Sequence, residues 1–188
     1  MQSFHKFCYN NNIKLDTLSN FDIMKITKEL KLPNFRGVYM RDNLPNKIKA
    51  NECGIVNLEP ESQNGSHWVC YYKKGKLEYY FDSYGLLTTN ELTAYLKGVK
   101  QNPIVCSTFE IQKFGTMICG QLCTYVLYML NSRFKFIDIL LSLMNEIQGN
   151  SETGSQTESC KPGICTGGDL NSNLGLVSDI AEIAEFFI

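Results

Sequence analysis

At 188 residues, 44% hydrophobic and 20% charged, the chain has the size and composition of one globular domain with a sizeable core. No run of about 18 apolar residues occurs, which excludes a membrane-spanning helix of ordinary length, and Met1 to Asn12 has no apolar stretch resembling a signal peptide, so secretion is not expected. The net charge of −1 hides an asymmetry: residues 1–150 carry 17 basic and 13 acidic side chains, and residues 151–188 carry one and six. That mildly basic body, without a dense basic stripe, argues against strong nucleic-acid binding.

Eight cysteines stand at positions 8, 53, 70, 106, 119, 123, 160 and 165. Without a secretory signal a reduced compartment is the expectation, with most of them small core hydrophobes. Cys119 and Cys123 are four apart, Cys160 and Cys165 five apart, and there are two histidines in all. These spacings do not make a structural zinc site, and no metal or cofactor is expected.

Along the chain, Ser19 or Asn20 caps an amphipathic helix over Phe21 to Leu30, with Ile23, Ile26 and Leu30 on one face and Pro33 closing it. Phe35 to Met40 is extended, and Asp42-Asn43-Leu44-Pro45 is a turn. Strands follow at Gly54–Leu58, His67–Lys73 and Leu77–Asp82, the last two joined as a hairpin through Lys73-Lys74-Gly75-Lys76. Thr89 to Leu96 reads as a short helix, Ile104–Cys106 and Phe109–Gln112 as short strands, and Cys119–Asn131 and Phe136–Ile147 as two long apolar helices. From residue 149 to 174 the composition shifts to Ser, Thr, Gly and Asn, the signature of a flexible linker. Residues 175–188 repeat apolar side chains near helical spacing. The expected organisation is therefore a catalytic domain over 1–148, a linker over 149–174 and a C-terminal helix over 175–188.

The chemistry concentrates at Cys119-Gly120. A cysteine at a helix N-terminus feels the positive end of the dipole, which favours the thiolate, and the glycine behind it leaves room for a substrate backbone. Thiol acyl transfer also needs a base, a group to orient that base, and donors for the oxyanion. His67 opens one strand of the hairpin and Asp82 closes the other, so antiparallel pairing brings imidazole and carboxylate to one end of the sheet. There Asp82 can fix the tautomer and stabilise the imidazolium. Gln112, seven residues before Cys119, can point its amide at the carbonyl oxygen beside the Cys119 backbone N–H. Cys123 is the rival nucleophile, but it lies one turn inside the helix without a following glycine. Each piece alone has a bland reading: a buried cysteine is more often packing than catalysis, and Asp82-Ser83 can simply open a turn. Their joint occurrence in this order favours a cysteine protease.

At these residues the sequence resembles the adenovirus protease (adenain) family and, more broadly, the superfamily shared with SUMO-specific proteases. The family pattern appears as Asn64-Gly65-Ser66-His67-Trp68, Tyr79-Tyr80-Phe81-Asp82-Ser83-Tyr84-Gly85, Gln112 and Cys119-Gly120. Pro33-Asn34-Phe35-Arg36-Gly37-Val38-Tyr39, Arg41-Asp42-Asn43-Leu44-Pro45 and Gly54-Ile55-Val56-Asn57-Leu58 extend it, most like the versions carried by virophages and polinton-type elements, over residues 18–147. The resemblance implies an α+β papain-like core, circularly permuted in the adenain manner, with a small mixed sheet packed against a central helix carrying the cysteine. It implies catalytic roles for His67, Asp82, Gln112 and Cys119. It further implies cleavage of capsid or core precursors after Gly-Gly or Gly-X during virion maturation, in the virion and the host cell interior. A peptide activator or a weak DNA contact belongs to the same expectation. Asp82 stands where adenain has glutamate and where SUMO proteases have aspartate, so a ubiquitin-like-protein protease is the alternative. A YopJ-type acyltransferase and an inactive capsid-associated protein are further ones. The Gly-Gly step in Ile164-Cys165-Thr166-Gly167-Gly168-Asp169 raises the expectation of self-cleavage after Gly168.

Overall fold

A computed structural model of the chain describes residues 1–97, 102–149 and, for the backbone alone, 163–165. Five helices and six strands follow in the order α1 (Phe4–Asn10), α2 (Asn20–Glu29), β1 (Phe35–Met40), β2 (Asn51–Asn57), β3 (Trp68–Lys74), β4 (Leu77–Phe81), α3 (Asn90–Lys97), β5 (Ile104–Cys106), α4 (Cys119–Asn131), α5 (Phe136–Ile147) and β6 (Gly163–Cys165). The strands form one mixed sheet in sequence order. β1 runs parallel to β2, β3 and β4 form antiparallel ladders after it, β5 is parallel to β4, and β6 is antiparallel to β5. The α+β class with a mixed sheet against the cysteine-bearing helix is thus present.

The sheet is buried on both faces. Along β3, Trp68, Cys70 and Tyr72 join a core with α4, α5, α1 and α2, while Val69 and Tyr71 join a second core with Leu92 and Leu96 of α3. This is the period-two alternation of a strand, but with apolar partners on each side, so β3 reads in sequence as a continuous apolar run. α4 is buried nearly all round, from Gly120 to Leu130, which is why its sequence shows little polar face. α2 is set by a reciprocal capping box: Ser19 accepts from the Asp22 backbone N–H and Asp22 accepts from that of Ser19.

Four sequence expectations change. α1 forms before the first expected helix, capped by Ser3 and tied to α5 through Glu146, which accepts from the Phe4 and His5 backbone N–H groups at 2.7 and 2.8 Å. Residues 109–112 are not a strand; the Ile111 and Gln112 N–H groups both donate to the Ser83 carbonyl, at 2.8 and 2.9 Å, leaving no ladder partner. Cys106 is disulfide-bonded, against the expectation of reduced thiols, whereas Cys8, Cys53, Cys70, Cys119 and Cys123 are free. Within the segment read as linker, Gly163–Cys165 pairs with β5, adding a sixth strand at a sheet edge. The C-terminal helix over 175–188 and the Gly167-Gly168 step lie outside the described residues.

Candidate active site

The two-residue turn Gly75-Lys76 sets the register of the β3–β4 hairpin, with Lys74 opposite Leu77 and Cys70 opposite Phe81. Continued past the strand ends, that register puts His67 opposite Tyr84 and Asp82 on the diagonal. The side chains follow: His67 Nε2 lies 2.8 Å from Asp82 Oδ1, and the His67 and Tyr84 rings meet with centroids 4.8 Å apart and planes tilted by 36°. Asp82 is fully buried. Its Oδ1 also accepts the Tyr84 backbone N–H at 2.8 Å, and its own N–H donates to Ser107 Oγ at 2.9 Å. The buried Asp82 side chain thus has hydrogen-bond partners for its polar atoms.

Cys119 is partly exposed at the first turn of α4, whose N-cap position, Ile118, offers no side-chain acceptor. The helix therefore presents unpaired N–H groups and the positive end of its dipole at the sulfur. With Nε2 on Asp82, the other ring nitrogen of His67 is left for the thiol, and Cys119 acts electrostatically on the imidazole. Burial of His67 disfavours its charge, but the hydrogen bonds to Asp82 and Cys119, with their negative charges, outweigh it and push the imidazole up to about 9.

Gln112 is 1% exposed and held on three sides. Ser83 Oγ donates to its Oε1 at 2.8 Å, and its Nε2 donates to the Thr116 carbonyl at 2.5 Å and to the Tyr84 hydroxyl at 3.2 Å. All four residues proposed from the sequence therefore gather at one end of the sheet, Gln112 reaching the others through Tyr84. Tyr84 is the functional candidate the sequence reading passed over. Its signal was available: a two-residue turn at Gly75-Lys76 fixes the pairing that puts it across from His67.

Two details differ from expectation. Gly120 does not face open space for a substrate: a Cβ there would lie 3.3 Å from Ile23 Cδ1 and Trp68 Cδ1 and 3.4 Å from Leu18 Cβ. The glycine instead lets α4 press against α2 and β3. Cys123 is fully buried, its thiol donating to the Trp68 carbonyl at 3.3 Å, and burial raises its pKa well above the ordinary thiol value. It is held as a core thiol. Trp68 Nε1 donates to the Leu18 carbonyl at 3.0 Å, and Gln121 Nε2 to the carbonyls of Lys14 and Asp16, tying the N-terminal segment beside the start of α4. Among the described residues no group of three or more His, Cys, Asp or Glu side chains is arranged to hold a metal ion, and no helix is long and apolar enough to cross a membrane.

No family model matches the chain, and neither does any curated protein. Among solved structures it is similar to the selenomethionine form of the ASFV pS273R protease, with 13% identity and a TM-score of 0.48, over 71% of this chain and 68% of that one.

Proposed function

We propose that this chain is a cysteine endopeptidase, a viral maturation protease that cuts capsid or core precursor polypeptides after Gly-Gly or Gly-X sequences. The observation that carries the reading is His67 bonded to Asp82 at 2.8 Å and in electrostatic reach of Cys119 at the bare N-terminus of α4. The motif resemblance to adenain-like proteases supplies the substrate class.

In this mechanism the Cys119 thiolate adds to the scissile carbonyl carbon. A C–S bond forms and the carbonyl electrons move onto oxygen, which the Cys119 N–H and the Gln112 amide stabilise. The His67 imidazolium then gives its proton to the leaving nitrogen, the C–N bond breaks and a thioester remains. Water, deprotonated by His67, attacks the thioester, and the collapsing intermediate expels the Cys119 thiolate while the imidazole keeps the proton. Asp82 holds the ring and its charge throughout.

A second reading, a ubiquitin-like-protein protease, is favoured by aspartate rather than glutamate at position 82. The test is to incubate the enzyme with a co-encoded capsid precursor and, separately, with a SUMO fusion. Products are sequenced by mass spectrometry, with Cys119→Ala and Cys123→Ala as controls. Precursor cleavage after glycine, lost in Cys119→Ala and kept in Cys123→Ala, is the expected result. Cleavage of the fusion alone would favour the second reading, and activity surviving in Cys119→Ala would overturn both.

A further inference from the structure

Tyr84 touches each part of the site through a different group. Its ring lies against His67, its backbone N–H holds Asp82 Oδ1, and its hydroxyl accepts from Gln112 Nε2 at 3.2 Å. Gln112 shows what that last contact is. Ser83 fixes its Oε1, which orients the amide, and the close bond to the Thr116 carbonyl takes one of the two Nε2 hydrogens. The remaining hydrogen, the one an oxyanion would use, points at the Tyr84 oxygen through the longer of the two bonds. The Tyr84 hydroxyl therefore borders the position an oxyanion would occupy.

Because that hydroxyl accepts from Gln112, its own proton is free to be donated elsewhere, and among the described residues it donates to none. Burial, followed by the charges of Cys119, Asp82 and Glu110, raises its pKa, so it stays an O–H donor across the working range.

We propose that Tyr84 is a further catalytic residue, its hydroxyl donating a hydrogen bond to the oxyanion alongside the Cys119 N–H and the Gln112 amide. This rests on the cysteine-protease reading. The step moves no proton: as the C–S bond forms and charge gathers on the carbonyl oxygen, the phenol rotates its O–H from solvent onto that oxygen. When the C–N bond breaks and the carbonyl reforms, the bond weakens again. An interaction that strengthens only as charge develops acts on kcat rather than on KM.

Tyr84→Phe isolates the claim, since phenylalanine keeps the ring on His67 and the N–H on Asp82. Three measurements separate the outcomes: peptide cleavage, affinity for a diglycyl peptide aldehyde, and the rate of Cys119 alkylation by iodoacetamide with Cys119→Ala as the blank. Thiol addition to the aldehyde forms a C–S bond and a tetrahedral oxygen that needs the donors. Alkylation displaces iodide and develops no oxyanion. The expected result is a fall in kcat of about tenfold or more with KM little changed, weaker aldehyde binding and unchanged alkylation. Equal loss in alkylation would overturn the proposal by making Tyr84 a support for the His67–Cys119 pair. Unchanged or faster cleavage would overturn it by making the hydroxyl idle or a competitor for Gln112. A wild-type enzyme that neither cleaves peptides nor binds the aldehyde would instead sink the protease reading, and this inference with it.

Discussion

A thiol that shares a proton with an imidazole loses its general acid when the imidazolium titrates. With His67 at about 9, kcat/KM for a peptide substrate should hold through neutral pH and fall as pH rises through about 9. Asp82→Asn removes the hydrogen-bonded negative charge that opposes burial, so its falling limb should move to lower pH with a reduced plateau. A pH profile in which both enzymes fall together would remove Asp82 from this role. Gln112→Ala deletes a buried donor positioned by Ser83 and Thr116; kcat should drop roughly 10²-fold, about 3 kcal/mol, with KM nearly constant. A change confined to KM would make Gln112 a binding residue. At this scale the sequence was most legible where chemistry restricts residue choice: a cysteine at a helix start, one histidine opening a strand, one aspartate closing its partner. Tyr84 was passed over because its identity is common and its meaning lies in the pairing register, which only a count back from the Gly75-Lys76 turn brings out.

Among the elements, α4 and α5 were readable to the residue because long apolar runs bounded by polar stretches have one economical solution. Strands β1 to β5 were located within a few residues, β2 beginning three earlier than its apolar run, at Asn51, whereas β6 lies in the stretch read as linker. Residues 109–112 misled because an alternating Phe109-Glu110-Ile111-Gln112 looks like a strand, yet the Ile111 and Gln112 N–H groups, which in a strand would point to opposite sides, both turn back to the Ser83 carbonyl. That contact depends on Gly85. Its φ is +71°, and a Cβ there would lie 2.7 Å from the Phe109 backbone. Gly85→Ala should thus push the 107–112 segment off the hairpin end, lowering kcat at least as much as Gln112→Ala does and, because Ser107 holds Asp82, slowing Cys119 alkylation as well. An alanine variant with wild-type kcat would show that the segment yields without disturbing Gln112.

Across the whole molecule, the buried Glu52 joins three elements away from the cleft. It accepts from the Tyr71 hydroxyl and the Lys49 N–H, both at 2.8 Å, and from Tyr95 and the Arg36 guanidinium. Burial alone would raise its pKa, but the hydrogen bonds from Tyr95, Lys49, Arg36 and Tyr71 reverse the sign and lower it. A carboxyl depressed in the folded state stabilises above its unfolded pKa, and that contribution is lost as pH falls through the depressed value. Glu52→Gln should cost roughly 3 kcal/mol at pH 7 in urea unfolding, since it strands Arg36 beside a neutral amide, and should flatten the acid limb of stability. Equal acid sensitivity in both proteins would remove Glu52 from that role. His67 works in the opposite sense: its raised pKa adds stability below its ordinary value, which declines as pH rises through about 9.

The way residues 82–85 and 107–112 are joined has one more consequence. Ser107 bonds both the N–H and the carbonyl of Asp82, Ser83 receives Ile111 and Gln112, and Gly85 lies against Phe109. The orienting acid and the amide donor, far apart in the chain, therefore belong to one cooperative opening unit. A fluctuation that frees one is thereby coupled to the release of the other, so on the protease reading the alignment of the imidazole and the placing of the Gln112 amide rise and fall together.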